Sequence, residues 1–306
     1  MAMNQPVNRR VWVLGALAAG VAPWLGGCGS VLQGGTVLAR GDIQEQLAAL
    51  ERSAQGRLGV AALDMASGST VLYRSDERFA MCSTFKMVAV AAVLHYSMHD
   101  DSLMAQQIVY EAADLVSYSP VTEKHAGSGM SVAQLCAAAL QYSDNTAANL
   151  LVQLVGGPQA VTAFARSVGD EVFRLDRWEP ELNSAIPGDE RDTTSPLAMM
   201  LSTRKLLLGD ALGEAQRAQL QDWMRGNAVG GQRIRAGVPP GWIVADKTGS
   251  GAYGVSNDVG VLWTPQQNPL VLAVFFTRPV PDAKPDDAVV AQAARLVTGW
   301  LHTAVA

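Results

Sequence analysis

Strand patterns stand near both ends of this chain, and helical patterns fill the length between them. The apolar runs "RLGVAALD" and "TVLYR" flank the turn sequence "MASGS", which predicts a β-hairpin over residues 57–74. Further on, "GWIVADKTG", "SNDVGVLW" and "PLVLAVFFTR" predict three more strands between residues 241 and 278. Because a two-stranded hairpin is only marginally stable alone, we expect it to join the late strands in one five-stranded antiparallel sheet.

The remaining length predicts helices that cover this sheet and build a second lobe. Helical patterns occupy residues 41–55, 83–225 and 286 to the end, with loops near 118–129 and 177–194. We therefore predict an α/β (α+β) fold with two lobes. An α/β lobe would comprise about residues 40–75 and 227–306, and an all-helical lobe about residues 76–226. A cleft between two lobes is a common place for a ligand.

Composition excludes several functional classes. The 306 residues are 49% hydrophobic and 17% charged, as expected of a globular protein with a real core. The formal net charge of −5 favours neither nucleic acid nor an anionic membrane surface as a partner. The chain has no phosphate-binding loop and no dinucleotide-binding fingerprint.

Residues 1–39 have the features of an export signal. Arg9 and Arg10 precede an apolar run, residues 11–25, that is too short and too interrupted by Gly and Pro for a good membrane span. The adjacent arginines fit a twin-arginine signal, and an ordinary Sec signal fits them as well. "LGGC" resembles a lipobox that would place a lipid anchor on Cys28, whereas "VLA" at the end of the segment resembles the cleavage site of a soluble enzyme. Either interpretation predicts a periplasmic protein.

Cysteine and histidine usage predicts neither a disulfide nor a metal site. Cys82 and Cys136 lie in the mature part, and although an oxidising compartment permits a bridge, buried free thiols are the preferred interpretation. His95 and His99 are four residues apart and could face one metal, but no third ligand stands at a familiar spacing. We therefore expect helix-surface histidines.

The stretch "MCSTFKMVAVAAVLHY" places polar residues at the head of an apolar helix. Ser83 and Lys86 are three residues apart and share a helix face. A helix N-terminus favours developing negative charge, and the Lys86 amine could accept the Ser83 proton if burial lowered its pKa. The alternative is structural, with Ser83 capping the helix and Lys86 pointing to solvent.

Three further motifs follow along the chain. "QYSDNTAAN" places Ser143, Asp144 and Asn145 before a helix, where all three residue types are also good caps. "RWEPELNSAIPGDERD" places Glu179 in a loop rich in Pro and Gly, which could equally be a solvated acidic loop. "DKTGSG" places Lys247 at a strand end, where a plain β-turn is the alternative.

All four motifs together, in this order and at these spacings, resemble the class A serine β-lactamases, a family with S-x-x-K, S-D-N and K-T-G motifs. The resemblance covers roughly the whole mature chain, including "VSYSPVTEKHAGSGMSVAQLC" and "RDTTSPLAM". It implies the two-lobed serine β-lactamase and penicillin-binding fold. It also implies a hydrolase that opens the ring of penicillins and cephalosporins and confers resistance to them, without a cofactor.

The resemblance implies a role for each motif residue. Ser83 would attack the β-lactam carbonyl, with its own backbone N–H and that of Ser250 as the oxyanion hole. Lys86 would help to activate Ser83, and Glu179 would hold and deprotonate a water that Asn183 also anchors. Whether Lys86 or Glu179 is the base in acylation is disputed for the family, whereas Glu179 in deacylation is accepted.

The substrate-binding residues are implied in the same way. Ser143 would pass a proton to the ring nitrogen, and Asn145 would bond the substrate's side-chain amide. Lys247, Thr248 and Ser250 would bind the substrate carboxylate. Two further assignments complete the set. Tyr118 resembles the aromatic residue at the cleft rim, with a partly buried loop tyrosine as the alternative, and Arg177 and Asp192 resemble the ion pair that pins the Glu179 loop.

The chain departs from many relatives at two places. The strand after K-T-G has no basic residue, and Arg233 resembles the alternative arginine that some members use at the carboxylate site; a surface arginine is the alternative, as we assume for Arg235. The disulfides of relatives would need cysteines at Val90 or at Gly251, so no bridge is expected.

Two rival functions share some of these motifs. One is a penicillin-binding peptidase, and the other is a sensor that is acylated and never released. Glu179 argues against both because it supplies a base for the deacylating water. The implied partners are small-molecule β-lactams, and a monomer is expected because nothing suggests a partner surface.

Overall fold

The computed structural model describes residues 40–303, so the predicted export signal with Cys28 lies outside the described residues. One five-stranded antiparallel sheet has the strand order β2-β1-β9-β8-β7. Its strands are β1 (Arg57–Asp64), β2 (Thr70–Tyr73), β7 (Ile243–Gly251), β8 (Val255–Trp263) and β9 (Pro269–Thr277). The hairpin β1–β2 joins the late strands through β1–β9 pairing, with Val60 opposite Val274. The predicted five-stranded sheet is confirmed.

Helices occupy the ends of the described chain and most of its middle. They are α1 (Arg40–Ala54), α2 (Phe85–Ser97), α3 (Val132–Gln141), α4 (Asn145–Leu154), α5 (Pro158–Ser167), α6 (Pro196–Leu207), α7 (Glu214–Arg225), α8 (Ile234–Gly237) and α9 (Asp287–Thr303). Short strand pairs also occur, in which β3 (Phe79–Ala80) pairs with β6 (Thr193–Thr194) and β4 (Gln107–Ile108) with β5 (Met130–Ser131). The sequence pattern did not predict these pairs, because two residues are too few to show an alternation.

The sheet separates two apolar cores, and β9 contributes to both. Leu272 and Val274 pack with residues of α1 and α9, whereas Ala273 and Phe275 pack with the central helices. Successive side chains of a strand point to opposite faces, so a strand with both faces covered reads as a continuous apolar run. This explains why "PLVLAVFFT", the sequence of β9, is apolar along almost its whole length. The predicted α+β fold class is confirmed. The lobe boundaries near residues 75 and 227 stay predictions.

The edge strand β7 packs closely on the 3₁₀ turn Cys82–Thr84 that precedes α2. Glycine permits this approach. A Cβ on Gly249 would lie 2.6 Å from the carbonyl oxygen of Met81, and one on Gly251 would lie 2.6 Å from Cys82 Sγ. The two motifs that carry Ser83 and Lys247 are thereby held side by side.

Cys82 and Cys136 are free and fully buried, so the prediction of two core thiols is confirmed. Burial raises the pKa of both thiols, which keeps them protonated and unreactive. Within residues 40–303, no helix is long and apolar enough to cross a bilayer.

Candidate active site

A cleft of about 380 Å³ gathers most of the predicted site residues. Its lining includes Ser83, Tyr118, Ser143, Asn145, Asn183, Arg233, Thr248 and Ser250. Lys86, Glu179 and Lys247 have at most 1% of their surface exposed, and they bond to this lining. The structure therefore brings all eleven predicted residues together, although they come from six separate parts of the chain.

Ser83 lies in the 3₁₀ turn before the helix rather than in the helix itself. The α-helix begins at Phe85, and its N-cap residue is Thr84. The Ser83 hydroxyl donates a hydrogen bond to Glu179 Oε1 at 3.1 Å, so the helix-capping alternative is wrong. Cys82, directly before it, has a φ of +44°, a left-handed conformation that costs energy and is often retained at functional sites.

Lys86 is fully buried, and the solvent-facing alternative is wrong. Its Nζ lies 3.0 Å from Glu179 Oε1 and donates to the Ser143 carbonyl and to Asn145 Oδ1, both at 2.7 Å. Burial lowers the pKa of Lys86, and the Glu179 carboxylate opposes that shift. One carboxylate oxygen thus faces both the Ser83 hydroxyl and the Lys86 amine.

Glu179 is buried, so the solvated-loop alternative is wrong for this residue, whereas Glu181 two residues on is exposed. Glu179 Oε2 accepts a hydrogen bond from Asn183 Nδ2. Asn183 Oδ1 is buried and has no protein hydrogen-bond partner among the described residues. Because a buried amide oxygen needs a donor, this atom is suited to accept a hydrogen bond from water or substrate beside the Glu179 carboxylate.

Asn149 is a site residue that the sequence analysis did not predict. Its Nδ2 donates to the Glu179 carbonyl at 2.8 Å, and its Oδ1 accepts from the Glu179 backbone N–H at 3.0 Å. The available signal was its spacing, because Asn149 lies four residues after Asn145 and shares that face of α4. Asn149 fixes the backbone of Glu179 from the helical side.

The loop that carries Glu179 is tied at its ends as predicted. Arg177 Nε lies 2.6 Å from Asp192 Oδ2. Asp192 Oδ1 also accepts the backbone N–H groups of Asp176 and Arg177, and the Asp192 side chain is 1% exposed. Charge-assisted hydrogen bonds of this kind are stronger than neutral ones, so the loop is anchored on both sides of Glu179.

The three residues of the Ser-Asp-Asn segment have different roles. Asp144 is the N-cap of α4, accepting from the Ala147 N–H, and also accepts from Val121 and Thr122, so capping is correct for this residue. Ser143 has a φ of +58° and lines the cleft. Asn145 donates to the Ser117 carbonyl at 2.8 Å while it accepts from Lys86.

Lys247 is fully buried and reaches the same serine from the sheet side. Its Nζ donates to Ser143 Oγ at 3.1 Å and to the Thr248 carbonyl at 2.8 Å. Burial, together with the nearby charge of Lys86, lowers the pKa of Lys247 to about 7. The plain β-turn alternative is wrong, because this residue lies within β7 and not in a turn.

Arg233 is 5% exposed, so the surface alternative is wrong. Its guanidinium donates to the carbonyls of Gly249 and Asn257, both at 2.7 Å, and to Ser250 Oγ at 2.5 Å, and it pairs with Asp287 at 2.8 Å. Arg233 therefore supports the strand end that lines the cleft.

Three further predictions from the sequence concern Arg235, Tyr118 and the histidine pair. Arg235 was assumed to be a surface residue, which is wrong, because it pairs with the buried Asp246 at 2.6 Å. Tyr118 is 58% exposed and lies at the cleft rim, so it is not a partly buried loop residue. His95 is half-buried against Phe164, with 5.5 Å between ring centroids, and of the two histidines only His99 is on the surface.

No cluster of His, Cys, Asp or Glu suited to a metal ion occurs between residues 40 and 303.

Comparisons with known proteins show the family of this chain. Residues 42–301 match the β-lactamase enzyme family. The β-lactamase OXY-2 of Klebsiella oxytoca is 58% identical over 259 residues, 85% of this chain and 89% of the relative. The β-lactamase CTX-M-8 of Citrobacter amalonaticus is 55% identical over 257 residues, 84% of this chain and 88% of that relative.

Solved structures give the same result. A β-lactamase from Desulfarculus baarsii matches with a TM-score of 0.85 and 54% identity, covering 86% of this chain and 98% of that one. A mutant of the class A β-lactamase of the last common ancestor of Gram-negative bacteria matches with a TM-score of 0.83 and 55% identity, covering 85% of this chain and 99% of that one. The chain therefore belongs to the class A serine β-lactamase family.

Proposed function

We propose that this protein hydrolyses penicillins and cephalosporins through an acyl-enzyme on Ser83, which a water activated by Glu179 then releases. The single observation that carries the proposal is the set of contacts on the buried Glu179 carboxylate. The Ser83 hydroxyl and the Asn183 amide donate hydrogen bonds to this carboxylate, and the Lys86 amine lies 3.0 Å from it. A nucleophile, a second base and a water anchor thus converge on one carboxylate.

Acylation follows from these contacts. Ser83 Oγ attacks the ring carbonyl carbon, and its proton passes to Glu179, to which the hydroxyl already donates. Backbone N–H groups of Ser83 and Ser250 stabilise the oxyanion, the second from the edge strand of the sheet. The tetrahedral intermediate collapses as the C–N bond breaks.

The leaving nitrogen takes a proton from Ser143. This hydroxyl lies 3.1 Å from Lys247 Nζ and 3.5 Å from Lys86 Nζ. Lys86 restores the Ser143 proton and in turn receives the proton held by Glu179, its neighbour at 3.0 Å. The net result is transfer of the Ser83 proton to nitrogen, and Glu179 is ionised again for the second step.

Deacylation uses the same carboxylate. A water held by Glu179 and by the unpartnered Asn183 Oδ1 loses a proton to Glu179 and attacks the ester carbonyl. The ester bond breaks, and the proton returns to Ser83. Because Asn149, Arg177 and Asp192 fix the loop, the water attacks from one defined direction.

Substrate recognition involves both sides of the cleft. Lys247, Thr248 and Ser250 bind the carboxylate, supported by Arg233, whose guanidinium bonds to Ser250 Oγ. Asn145 uses its second N–H for the substrate's side-chain amide, because the first is bonded to Ser117. Tyr118 packs on the substrate from the rim. We further propose export to the periplasm, with or without a lipid on Cys28, and a monomeric state.

The test is ring opening of excess benzylpenicillin followed together with intact mass of the mature protein. Wild type turns over many equivalents. Glu179→Gln stalls with one bound acyl group, because the buried Lys86 amine, whose pKa is no longer raised by a neighbouring carboxylate, can take the Ser83 proton in acylation, whereas the Gln amide cannot deprotonate the water. Glu181→Gln, two residues on and exposed, is the matched control and behaves as wild type. Wild type that itself stopped at one acyl group would instead be a sensor or a peptidase.

A further inference from the structure

A cluster of charged side chains lies beside β7 and is not explained by the proposed chemistry. Two ion pairs belong to it, Arg235 with Asp246 at 2.6 Å and Arg233 with Asp287 at 2.8 Å. The fifth member, Asp258 on β8, is fully buried and forms no ion pair with any residue between 40 and 303. If Asp258 were ionised, the cluster would carry one uncompensated negative charge in the protein interior.

The hydrogen bonds of Asp258 also argue against an ionised carboxylate at this position. Its Oδ2 accepts the Ile234 backbone N–H at 3.0 Å. Its Oδ1 is buried and receives no hydrogen bond from any donor of the described chain. A buried carboxylate oxygen without a donor is costly, and it is rarely retained unless the group is neutral.

The neighbour of Asp258 across the sheet is another carboxyl group. Asp258 stands opposite Thr248, and Asp246 lies two residues before Thr248, so both aspartates share one face of the β7–β8 pair. Diagonal neighbours of this kind on one face of a strand pair lie close enough for their side chains to interact, and the charge of Asp246 acts on Asp258. Asp246 is already an acceptor for Arg235 Nε and for Asn227 Nδ2, each at 2.6 Å. Two carboxylates cannot hydrogen-bond to each other without a proton, because neither has a donor.

We propose that Asp258 is a protonated carboxylic acid that donates its proton to Asp246 and thereby positions β7 behind Lys247. Asp246 keeps the negative charge, which Arg235 neutralises. The cluster is then neutral as a whole, and the donor-less oxygen becomes a hydroxyl. Because successive side chains of a strand alternate, the neighbouring residue Lys247 points to the opposite face, and the bond holds β7 from the face that Lys247 does not occupy.

Electrostatics support this assignment. Burial raises the pKa of Asp258 well above its usual value, the charge of Asp246 raises it further, and Arg233 opposes the shift. Lys247 and Lys86 carry the other charges nearby, and Lys247 points to the opposite face of β7. An ionised Asp258 would compete with Asp287 for Arg233, whose guanidinium also holds Ser250.

The test compares Asp258→Asn with Asp258→Leu. The asparagine reproduces a protonated acid, since its N–H can donate to Asp246 and its oxygen can accept from Ile234. The leucine provides neither. Asp170→Asn is the matched control, because Asp170 is also buried but both of its carboxyl oxygens accept hydrogen bonds, from the Val172 N–H, the Phe173 N–H and the Ser202 hydroxyl.

We expect the urea midpoint of Asp258→Asn to equal that of wild type near pH 4 and not to fall below it at neutral pH, while Asp258→Leu and Asp170→Asn lower it. A folded-state pKa above the unfolded value of about 3.9 means that wild type loses stability as pH rises above that value. The midpoint of Asp258→Asn therefore rises relative to wild type between pH 4 and 8. The infrared carbonyl band of a protonated carboxyl group, visible in wild type, disappears in Asp258→Asn.

The proposal is overturned if Asp258→Asn is as destabilised as Asp170→Asn, or if the difference from wild type is independent of pH and the infrared spectra are identical. Kinetic measurements, which rest on the proposed function, test whether Asp258 positions β7. Asp258→Leu raises KM for benzylpenicillin by about tenfold, the equivalent of one good hydrogen bond, and Asp258→Asn restores it. Absence of turnover in wild type would defeat the proposed function while the stability and infrared measurements still decide the proton.

Discussion

At the scale of single residues, the site works through two buried lysines with different surroundings. Lys86 has the Glu179 carboxylate at 3.0 Å, which compensates for part of its burial. Lys247 donates to uncharged oxygens only, those of Ser143 and Thr248, within the described chain. With a pKa of about 7, Lys247 can lose its proton in the neutral range, whereas a solvated lysine could not.

This difference predicts an alkaline limb in the pH profile. The Lys247 ammonium is present below its folded pKa and is lost as pH rises through about 7, so kcat/KM for benzylpenicillin should fall above that pH. In the profile of kcat the limb should lie at higher pH, because a bound carboxylate stabilises the ammonium. Lys247→Arg is the control, since a guanidinium stays charged. An identical limb in this variant would assign the titration to another group.

At the scale of elements, the site depends on the contact between the edge strand β7 and the turn Cys82–Thr84. The contact needs residues without side chains. Gly251 faces Cys82 Sγ and the Asn183 carbonyl oxygen, at 2.6 Å and 2.7 Å from an added Cβ. The same strand therefore touches the turn of the nucleophile and the loop of the water anchor.

We expect Gly251→Ala to push β7 away from both neighbours. Overpacking of this kind costs about 1–3 kcal/mol of unfolding free energy. Because Ser250 shifts with the strand, kcat/KM falls as well. The matched control is Gly231→Ala, where an added Cβ meets nothing within 4 Å. Chemical unfolding and penicillin kinetics measure the two effects; equal behaviour of both variants would show that the close approach is unimportant.

At the scale of the whole molecule, the sheet joins two apolar cores. Leu47 of α1 packs in the apolar core on one sheet face, and Leu135 of α3 in the core on the other face. Since β9 contributes alternate residues to both cores, loss of packing on one face removes support from the other. The molecule should then unfold as one cooperative unit.

The corresponding prediction uses one leucine from each core. Leu47→Ala and Leu135→Ala each remove a fully buried side chain, and each should lower stability by about 2–5 kcal/mol in a single transition. Leu72→Ala, at a residue 37% exposed on β2, is the control and should cost far less. Calorimetry with circular dichroism checks this; two separate transitions would show that the cores fold independently.

Much of the site was predictable from local patterns. Ser83, Lys86, Ser143 and Lys247 lie in short motifs of three or four residues that are visible in the sequence. Asn149 was not predicted, because an asparagine within a helix has no local signal for the backbone group that it bonds. Arg235 was assigned to the surface, because the sequence does not show that Asp246 lies buried beside it.

The sequence by itself determined the strand and helix order, the five-stranded sheet and the motif residues, because apolar periodicity and short motifs act over a few residues. Only the tertiary structure decided which charges are buried and what they face. It placed Glu179 against both Ser83 and Lys86, and it placed Asp258 on the same face of the β7–β8 pair as Asp246. Contacts between residues about a hundred positions apart, such as Ser83 with Glu179, depend on packing of whole elements, and no local pattern records them.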